Sequence, residues 1–286
     1  MHDIESITVI GAGTMGRGIA QTAAMSGYRV SLVDAAPDIL AKSLASIEEI
    51  TGSLVERGKM RASERNAALA MLSTAKSIRE GAARADLVVE AVPESLELKQ
   101  RIFREVAAAA PPHAVLASNT SSLSIGAIAG AIEDPGRVVG MHFFNPVPVM
   151  PLLEIVRAAG TSKDAIATAL SVGKRLGKET ILVRDAPGFA TSRLGVLLGL
   201  EAIRMLEQQV ASAEDIDRAM TLGYKHPMGP LRLTDLVGLD VRLAIAEHLH
   251  RELRSEAFAV PALLRKMVAD GKLGKKSGQG FYRWDV

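Results

Sequence analysis

The sequence predicts an α/β chain: a doubly wound, parallel sheet over residues 1–184, then an all-helical region over residues 185–286. Three observations carry that prediction. Strand-sized apolar runs alternate with longer helical segments, a glycine-rich turn joins the first run to the first helix, and beyond Asp185 only helical patterns occur until Phe281. No internal repeat and no Pro/Gly/Ser-rich linker interrupts the chain, so the boundary falls near Arg184–Pro187 and the two parts are expected to pack together.

In chain order, the predicted strands are Ile7–Ile10, Val30–Val33, Leu87–Val92, Ala114–Ala117, Val138–Met141, Leu152–Val156 and, last, Ile181–Val183. The first helix should run from about Met15 to Ser26 and stop at Gly27, where a left-handed backbone is tolerated; a second, Ile39–Arg57, should stop at Gly58. In the C-terminal part, Ser212 followed by Asp215 fits a helix cap, and Pro230 and Pro261 each open a further helix.

Composition narrows the function classes. Lys+Arg of 34 against Asp+Glu of 32 gives a net charge of +2, and aromatics are 3%, so neither a broad phosphate-binding face nor a base-stacking platform is indicated, and nucleic acid is not an expected partner. Cysteine is absent, which removes disulfides, thiolate nucleophiles and thiolate metal sites and fits a reducing cytoplasm. The N-terminus reads as a strand rather than a secretory signal, so no export is expected. The most apolar helical stretch, Phe189–Leu206, carries Arg193, Glu201 and Arg204 and reads as a buried helix rather than a membrane span.

Ile7–Ile10 runs directly into Gly11-Ala12-Gly13-Thr14-Met15-Gly16. This spacing lets the chain turn at Gly11, bring backbone close to a pyrophosphate at Gly13, and open a helix packed against the sheet at Gly16, with free N–H groups facing the anion. Glycines also serve ordinary turns, but here a strand precedes, a helix follows, and a second strand, Tyr28–Val33, ends at Asp34. Asp34 can accept both ribose hydroxyls and would repel a 2′-phosphate, and no arginine follows it, so the Rossmann-type site is expected to take NAD rather than NADP. Glu90, Glu94 and Lys99 follow the strand Leu87–Val89; taken alone they read as a solvated charge cluster opening a helix.

Ser118-Asn119-Thr120-Ser121-Ser122 sits between a strand and a helical run, and by itself is a good cap. His142 lies near a strand end, in Gly140-Met141-His142-Phe143-Phe144-Asn145-Pro146, and Glu154 lies inside the apolar run Leu152–Val156. Singly, they fit a satisfied core histidine and an edge-strand carboxylate turned to solvent. Together, on a dinucleotide-binding sheet, they point to catalysis: a carboxylate in a buried strand needs a partner, and a Glu on one imidazole nitrogen leaves the other for proton transfer. His113, His226, His248 and His250 make no convincing metal-ligand set, so no metal is expected.

Ser118–Ser122, His142–Met150, Ala186–Phe189, Ala211–Asp217, His226–Pro230 and Gly274–Tyr282 occur in order across nearly the whole chain, and together they resemble the L-3-hydroxyacyl-CoA dehydrogenase family, in particular its 3-hydroxybutyryl-CoA group. The resemblance implies NAD-dependent oxidation of a short L-3-hydroxyacyl-CoA and the reverse reduction. It implies His142 as general base, Glu154 as its orienter and Ser121 as a hydrogen-bonding partner of the substrate oxygen. It further implies cofactor or active-site roles for Asp34, Glu94, Lys99, Asn119 and Asn145, and a helical C-terminal domain that forms a homodimer. Two positions depart from the family pattern: Ser192 stands where an active-site Asn is usual, and Pro151 where a Lys is common. Ser192 offers one donor in place of an amide's two, which bears on efficiency or substrate choice. Coenzyme A carries several phosphates, and Arg57, Lys59 and Arg61 around Gly58 are candidates to meet them, or else a solvated, cation-rich helix end. Rival readings are a dehydrogenase of a free hydroxy acid or sugar acid, and a cofactor-binding structural protein like the related lens crystallins.

Overall fold

The computed structural model describes residues 3–285, in two compact units, Met1–Asp185 and Ala186–Val286. The first is built on one sheet. Its strands are β1 (Ser6–Ile10), β2 (Arg29–Val33), β3 (Leu72–Thr74), β4 (Leu87–Glu90), β5 (Val115–Ser118), β6 (Val138–Phe143), β7 (Leu152–Arg157) and β8 (Glu179–Arg184). They lie in the order β3-β2-β1-β4-β5-β6-β7-β8. The order reverses between β1 and β4, the crevice where doubly wound sheets bind nucleotides.

Helices α1 (Thr14–Met25), α2 (Pro37–Glu56), α3 (Ala62–Ala70), α4 (Ile78–Ala82), α5 (Leu96–Ala109), α6 (Ile125–Ala129) and α7 (Lys163–Arg175) connect the strands. The central strands are apolar on both faces because both are covered: β4, β5 and β6 are buried at every position. On one face Ile19, Ala20, Ala23 and Ala24 of α1 and Ala165, Ala169 and Val172 of α7 join Val9, Val89, Ala117, Met141 and Ile155 in a single core. The small side chains of α1 let that helix lie close to the sheet.

Three expectations from sequence need correction. Strand β3 was not foreseen, since Leu72-Ser73-Thr74 is too short and too polar to stand out; it sits at the sheet edge against β2. The run Leu87–Val92 ends at Glu90, because Val92 N–H turns to donate to the Glu90 carboxylate at 2.7 Å. The sheet is not wholly parallel: β7 runs antiparallel to β6, with Gly140 opposite Val156 and His142 opposite Glu154, while β8 is parallel to β7. An eight-residue loop suffices for that hairpin, whereas a parallel crossover needs a dozen residues or more.

The second unit is helical: α8 (Thr191–Glu207), α9 (Ala213–Arg218), α10 (Pro230–Val237), α11 (Leu239–Leu253) and α12 (Ala262–Ala269). Ser212 Oγ accepts from Asp215 N–H at 3.1 Å, Pro230 fills the first turn of α10, and Pro261 precedes α12. Val196, Leu200 and Ile203 of α8 form its core with Leu231, Leu239, Ala246, Leu249, Phe258 and Leu264. Buried Asp235 pins the chain end by accepting from the Phe281 and Tyr282 amides and from Trp284 Nε1, each at 2.9 Å. Among the described residues no helix is long and apolar enough to cross a membrane.

Candidate active site

Because β1, β4, β5 and β6 are mutually parallel, their carboxyl ends share one sheet edge. Four loops leave that edge: the glycine turn after Ile10, Ala91–Ser95, Asn119–Ser124 and Phe144–Pro151.

The first loop has the form of a dinucleotide cradle. Gly11 takes φ +95°, and a Cβ there would lie 2.7 Å from the Ala91 carbonyl oxygen. A Cβ on Gly16 would lie 1.7 Å from the Gly11 carbonyl oxygen, so this glycine lets α1 close on the turn itself as well as on the strand. Gly13 is open, with nothing within 4 Å of its Cβ position. It caps α1 with no side-chain hydrogen bond and no acidic residue in the first turn, so the N–H groups around Thr14 and Met15 remain for an anion. Asp34, at the end of β2, receives Ala12 N–H at 2.7 Å on one oxygen and Ala36 N–H at 2.9 Å on the other. Each oxygen keeps a lone pair for a ribose hydroxyl. An open glycine, uncapped helical N–H groups and a neighbouring carboxylate fit a pyrophosphate with its ribose.

The reading of Glu90, Glu94 and Lys99 as a solvated cluster is overturned for two of the three. Glu90 and Lys99 are each 1% exposed and lie 2.6 Å apart. Glu90 also accepts from Ser118 Oγ at 2.6 Å, which ties the end of β4 to the end of β5. Lys99 Nζ reaches the Val92 carbonyl at 3.2 Å and Glu94 at 3.4 Å, so it lies beneath the loops and acts on the edge through those two carboxylates. The remaining Glu94 oxygen gathers the serine loop: Thr120 Oγ1 at 2.5 Å, Ser121 N at 3.0 Å and Oγ at 3.4 Å, Ser122 N and Oγ each at 3.2 Å. Partial burial opposes the charge on Glu94, but Lys99 and these donors outweigh it and hold its carboxyl below the ordinary range. Reading the sequence missed this hub, although a run of hydroxyls and loop amides with no acceptor of its own was the available sign.

At the end of β6, His142 Nδ1 lies 2.7 Å from Glu154 Oε2. Glu154 is fully buried and His142 6% exposed, and the two stand directly opposite in the β6–β7 register. Glu154 therefore does not turn to solvent; β8 covers its strand. The Phe144 ring packs at 4.4 Å from the imidazole centroid. Asn119 Oδ1 accepts from Phe143 N–H at 2.9 Å, joining the serine loop to the histidine strand. The next loop, carrying exposed Asn145, is held from below by Lys178, whose Nζ donates to the Val147 and Met150 carbonyls at 2.5 and 2.8 Å.

Arg57 and Lys59 are exposed around Gly58 at the end of α2, and Arg61 is paired to Glu64 at 2.6 Å. Ser192 lies half-buried in the first turn of α8, in the helical unit.

Comparison with known proteins gives a consistent picture. The family model described as 3-hydroxyacyl-CoA dehydrogenase, NAD binding domain, matches residues 6–186, and that of the C-terminal domain matches residues 188–284. A Bacillus subtilis (strain 168) protein named probable 3-hydroxybutyryl-CoA dehydrogenase is 42% identical, covering 99% of this chain and 98% of its own. The crystal structure of (S)-3-hydroxybutyryl-CoA dehydrogenase from Ralstonia eutropha is similar at TM-score 0.95 and 38% identity, covering 99% of this chain and all of that one. M. tuberculosis FadB2 is equally similar in structure, at TM-score 0.95 and 42% identity over 99% of this chain and 100% of its own.

Proposed function

Since the chain belongs to the 3-hydroxyacyl-CoA dehydrogenase family, we propose that it oxidises short L-3-hydroxyacyl-CoA esters to 3-ketoacyl-CoA, and reduces them in reverse, through His142. NAD is the cofactor; when bound it accepts the hydride from C3. The observation that carries the reading is the buried 2.7 Å pair of His142 and Glu154 on the sheet that bears the glycine turn.

Glu154 accepts from Nδ1–H, which fixes the tautomer and places proton exchange at Nε2. In oxidation Nε2 takes the hydroxyl proton, and the carboxylate stabilises the imidazolium that forms; in reduction the same proton returns to the alkoxide. The Ser121 hydroxyl leaves its long 3.4 Å bond to Glu94 and donates to the substrate oxygen, while Ser121 N–H stays on Glu94 and Asn119 holds the other end of the loop. Gly11, Gly13, Thr14, Met15, Gly16 and Asp34 hold the cofactor, joined by Asn145, with Lys99 supporting the loop below. Ser192, in the first turn of α8, contributes a hydroxyl to substrate binding. Arg57 and Lys59 offer charge to the phosphates of coenzyme A. We further propose a cytoplasmic homodimer, a reading supported by the cysteine-free composition and by exposed Leu222 and Tyr224 in the helical unit, at 71% and 75%.

The test is oxidation of NADH with acetoacetyl-CoA or free acetoacetate. The reading requires acetoacetyl-CoA to be used far better; equal use of both points to a free-acid dehydrogenase, and use of neither to a structural role. His142→Gln should keep NADH binding, read by fluorescence, and lose turnover on the order of 10²-fold or more. Near-normal turnover in that variant refutes the assignment of the base.

A further inference from the structure

Ser43, on α2 in the sheet unit, is a buried hydroxyl that the chemistry above does not use. The buried residues of that helix are Ser43, Ile47 and Thr51, spaced one turn apart, and they form the stripe by which α2 packs. Thr51 turns its hydroxyl on its own helix, donating to the Ile47 carbonyl at 2.7 Å, the ordinary outlet for a helical hydroxyl. Ser43 does otherwise. Its Oγ donates to the carbonyl of Ala12, in the glycine turn between β1 and α1. Ser43 is 4% exposed and Ala12 1%, so water does not stand in for either partner.

The consequence lies on the other side of that peptide. Ala12 N–H is already held by Asp34 at 2.7 Å, and the Gly13 carbonyl accepts from Arg17 N–H at 2.9 Å as α1 begins. Between them stands the peptide that joins Ala12 to Gly13. Its C=O and N–H point in opposite directions, because a trans peptide is planar. Gripping the oxygen from α2 therefore aims the Gly13 N–H away from α2. That N–H has no acceptor among the described residues, and a Cβ at Gly13 would meet nothing within 4 Å. It precedes the N–H groups of Thr14 and Met15 at the opening of α1. Without the grip, a glycine on one side leaves the peptide little steric resistance to rotation, and a hydrogen bond weakens steeply once its donor is misaligned.

We infer that Ser43 is a positioning residue for the cofactor: by pinning the Ala12 carbonyl it fixes the peptide whose N–H donates to the pyrophosphate. The inference rests on the reading that the glycine turn receives that pyrophosphate. To that reading it adds a group outside the turn that sets the direction of one donor.

NADH binding read by fluorescence, with adenosine as a competitor, tests this role. Ser43→Ala should raise the NADH Kd about tenfold, the scale of one hydrogen bond to a charged group. Adenosine keeps a ribose for Asp34 and has no phosphate, so its affinity should stay unchanged. Ser43→Thr and Ser43→Val share one shape and differ by the hydroxyl; Thr should bind NADH more tightly than Val by about the same factor. This pair also carries the test should Ser43→Ala fail to fold. A bond that only holds the fold together lowers the melting temperature and leaves NADH affinity unchanged well below it, and that outcome overturns the inference. An equal loss on NADH and adenosine overturns it too, since general loosening of the turn acts on both, as does a Thr variant no better than Val. Gly13→Ala separates this inference from the reading beneath it, because the added Cβ touches no protein atom and stands where the anion approaches. If Gly13→Ala weakens NADH binding and the Ser43 variants do not, this inference alone fails. If neither does, the glycine turn is not the pyrophosphate site and both fail.

Discussion

Replacing Lys99 by methionine removes a buried cation while keeping most of its apolar stem, and leaves Glu90, 1% exposed, facing it at what had been 2.6 Å. Breaking a buried pair in this way costs about 3–5 kcal/mol, because the remaining charge stays desolvated. The lower end applies here, since Ser118 Oγ and Val92 N–H still donate to Glu90 at 2.6 and 2.7 Å. In a unit of this size about 1 kcal/mol corresponds to roughly 2–4 °C, so the transition of the sheet unit should fall by roughly 6–12 °C. Calorimetry of wild type, Lys99→Met and Lys99→Met/Glu90→Gln tests the cause. The double variant should regain at least half of the loss, because a neutral amide needs no counter-charge and can accept from Val92 N–H through its oxygen while its nitrogen donates to Ser118 Oγ. A single variant within about 2 °C of wild type, or a double variant whose losses simply add, refutes the claim that a buried charge organises this edge.

Asp34→Ala should weaken NADH binding about tenfold or more and narrow the preference over NADPH, since a ribose acceptor, a repulsive charge and the 2.7 Å bond to Ala12 N–H are lost together; fluorescence titrations that find both affinities unchanged remove Asp34 from the site. Partial burial opposes the charge on Asp86, but the Ser6 hydroxyl, the Glu5 and Ser6 amides and His113 outweigh it and hold its carboxyl well below the usual range. A depressed carboxyl stabilises the fold above its unfolded value, near 4, and loses that contribution as pH falls through the folded value, so denaturant midpoints of Asp86→Asn and wild type should differ at pH 7 and converge below pH of about 4; a constant difference across that range contradicts the linkage. Ser192→Asn should raise kcat/KM for acetoacetyl-CoA by about 1 kcal/mol, or up to roughly tenfold, if the amide restores a substrate contact; lower activity on every acyl length shows a site already packed around serine.

What was legible before the structure divides along a physical line. The period-2 and period-3.6 patterns located the central strands and long helices, because those elements are held by burial, and burial selects residue type at each position. The glycine turn was equally legible, since Gly11 and Gly16 stand where a Cβ would collide with backbone, at 2.7 and 1.7 Å. Strand β3 was not, because an edge strand of three residues is held by backbone hydrogen bonds to β2, which any sequence can make. The direction of β7 was hidden for a related reason: the same apolar run suits either sense, and the length of the connecting loop decides. The His142–Glu154 pair was half legible, as a carboxylate inside an apolar strand demands a partner, yet only the register settles which one. Glu90 and Lys99 were misread because two opposite charges nine residues apart look the same whether water or a sheet surrounds them. Arg242 is the extreme case. Nothing in Leu239-Asp240-Val241-Arg242-Leu243 separates a solvated helical arginine from a buried one, and Gly195, 47 positions earlier, reads as a mild helix weakener. Only their proximity gives each a reason: a Cβ on Gly195 would lie 3.4 Å from Arg242 Nη1, so the missing side chain makes room for the buried guanidinium.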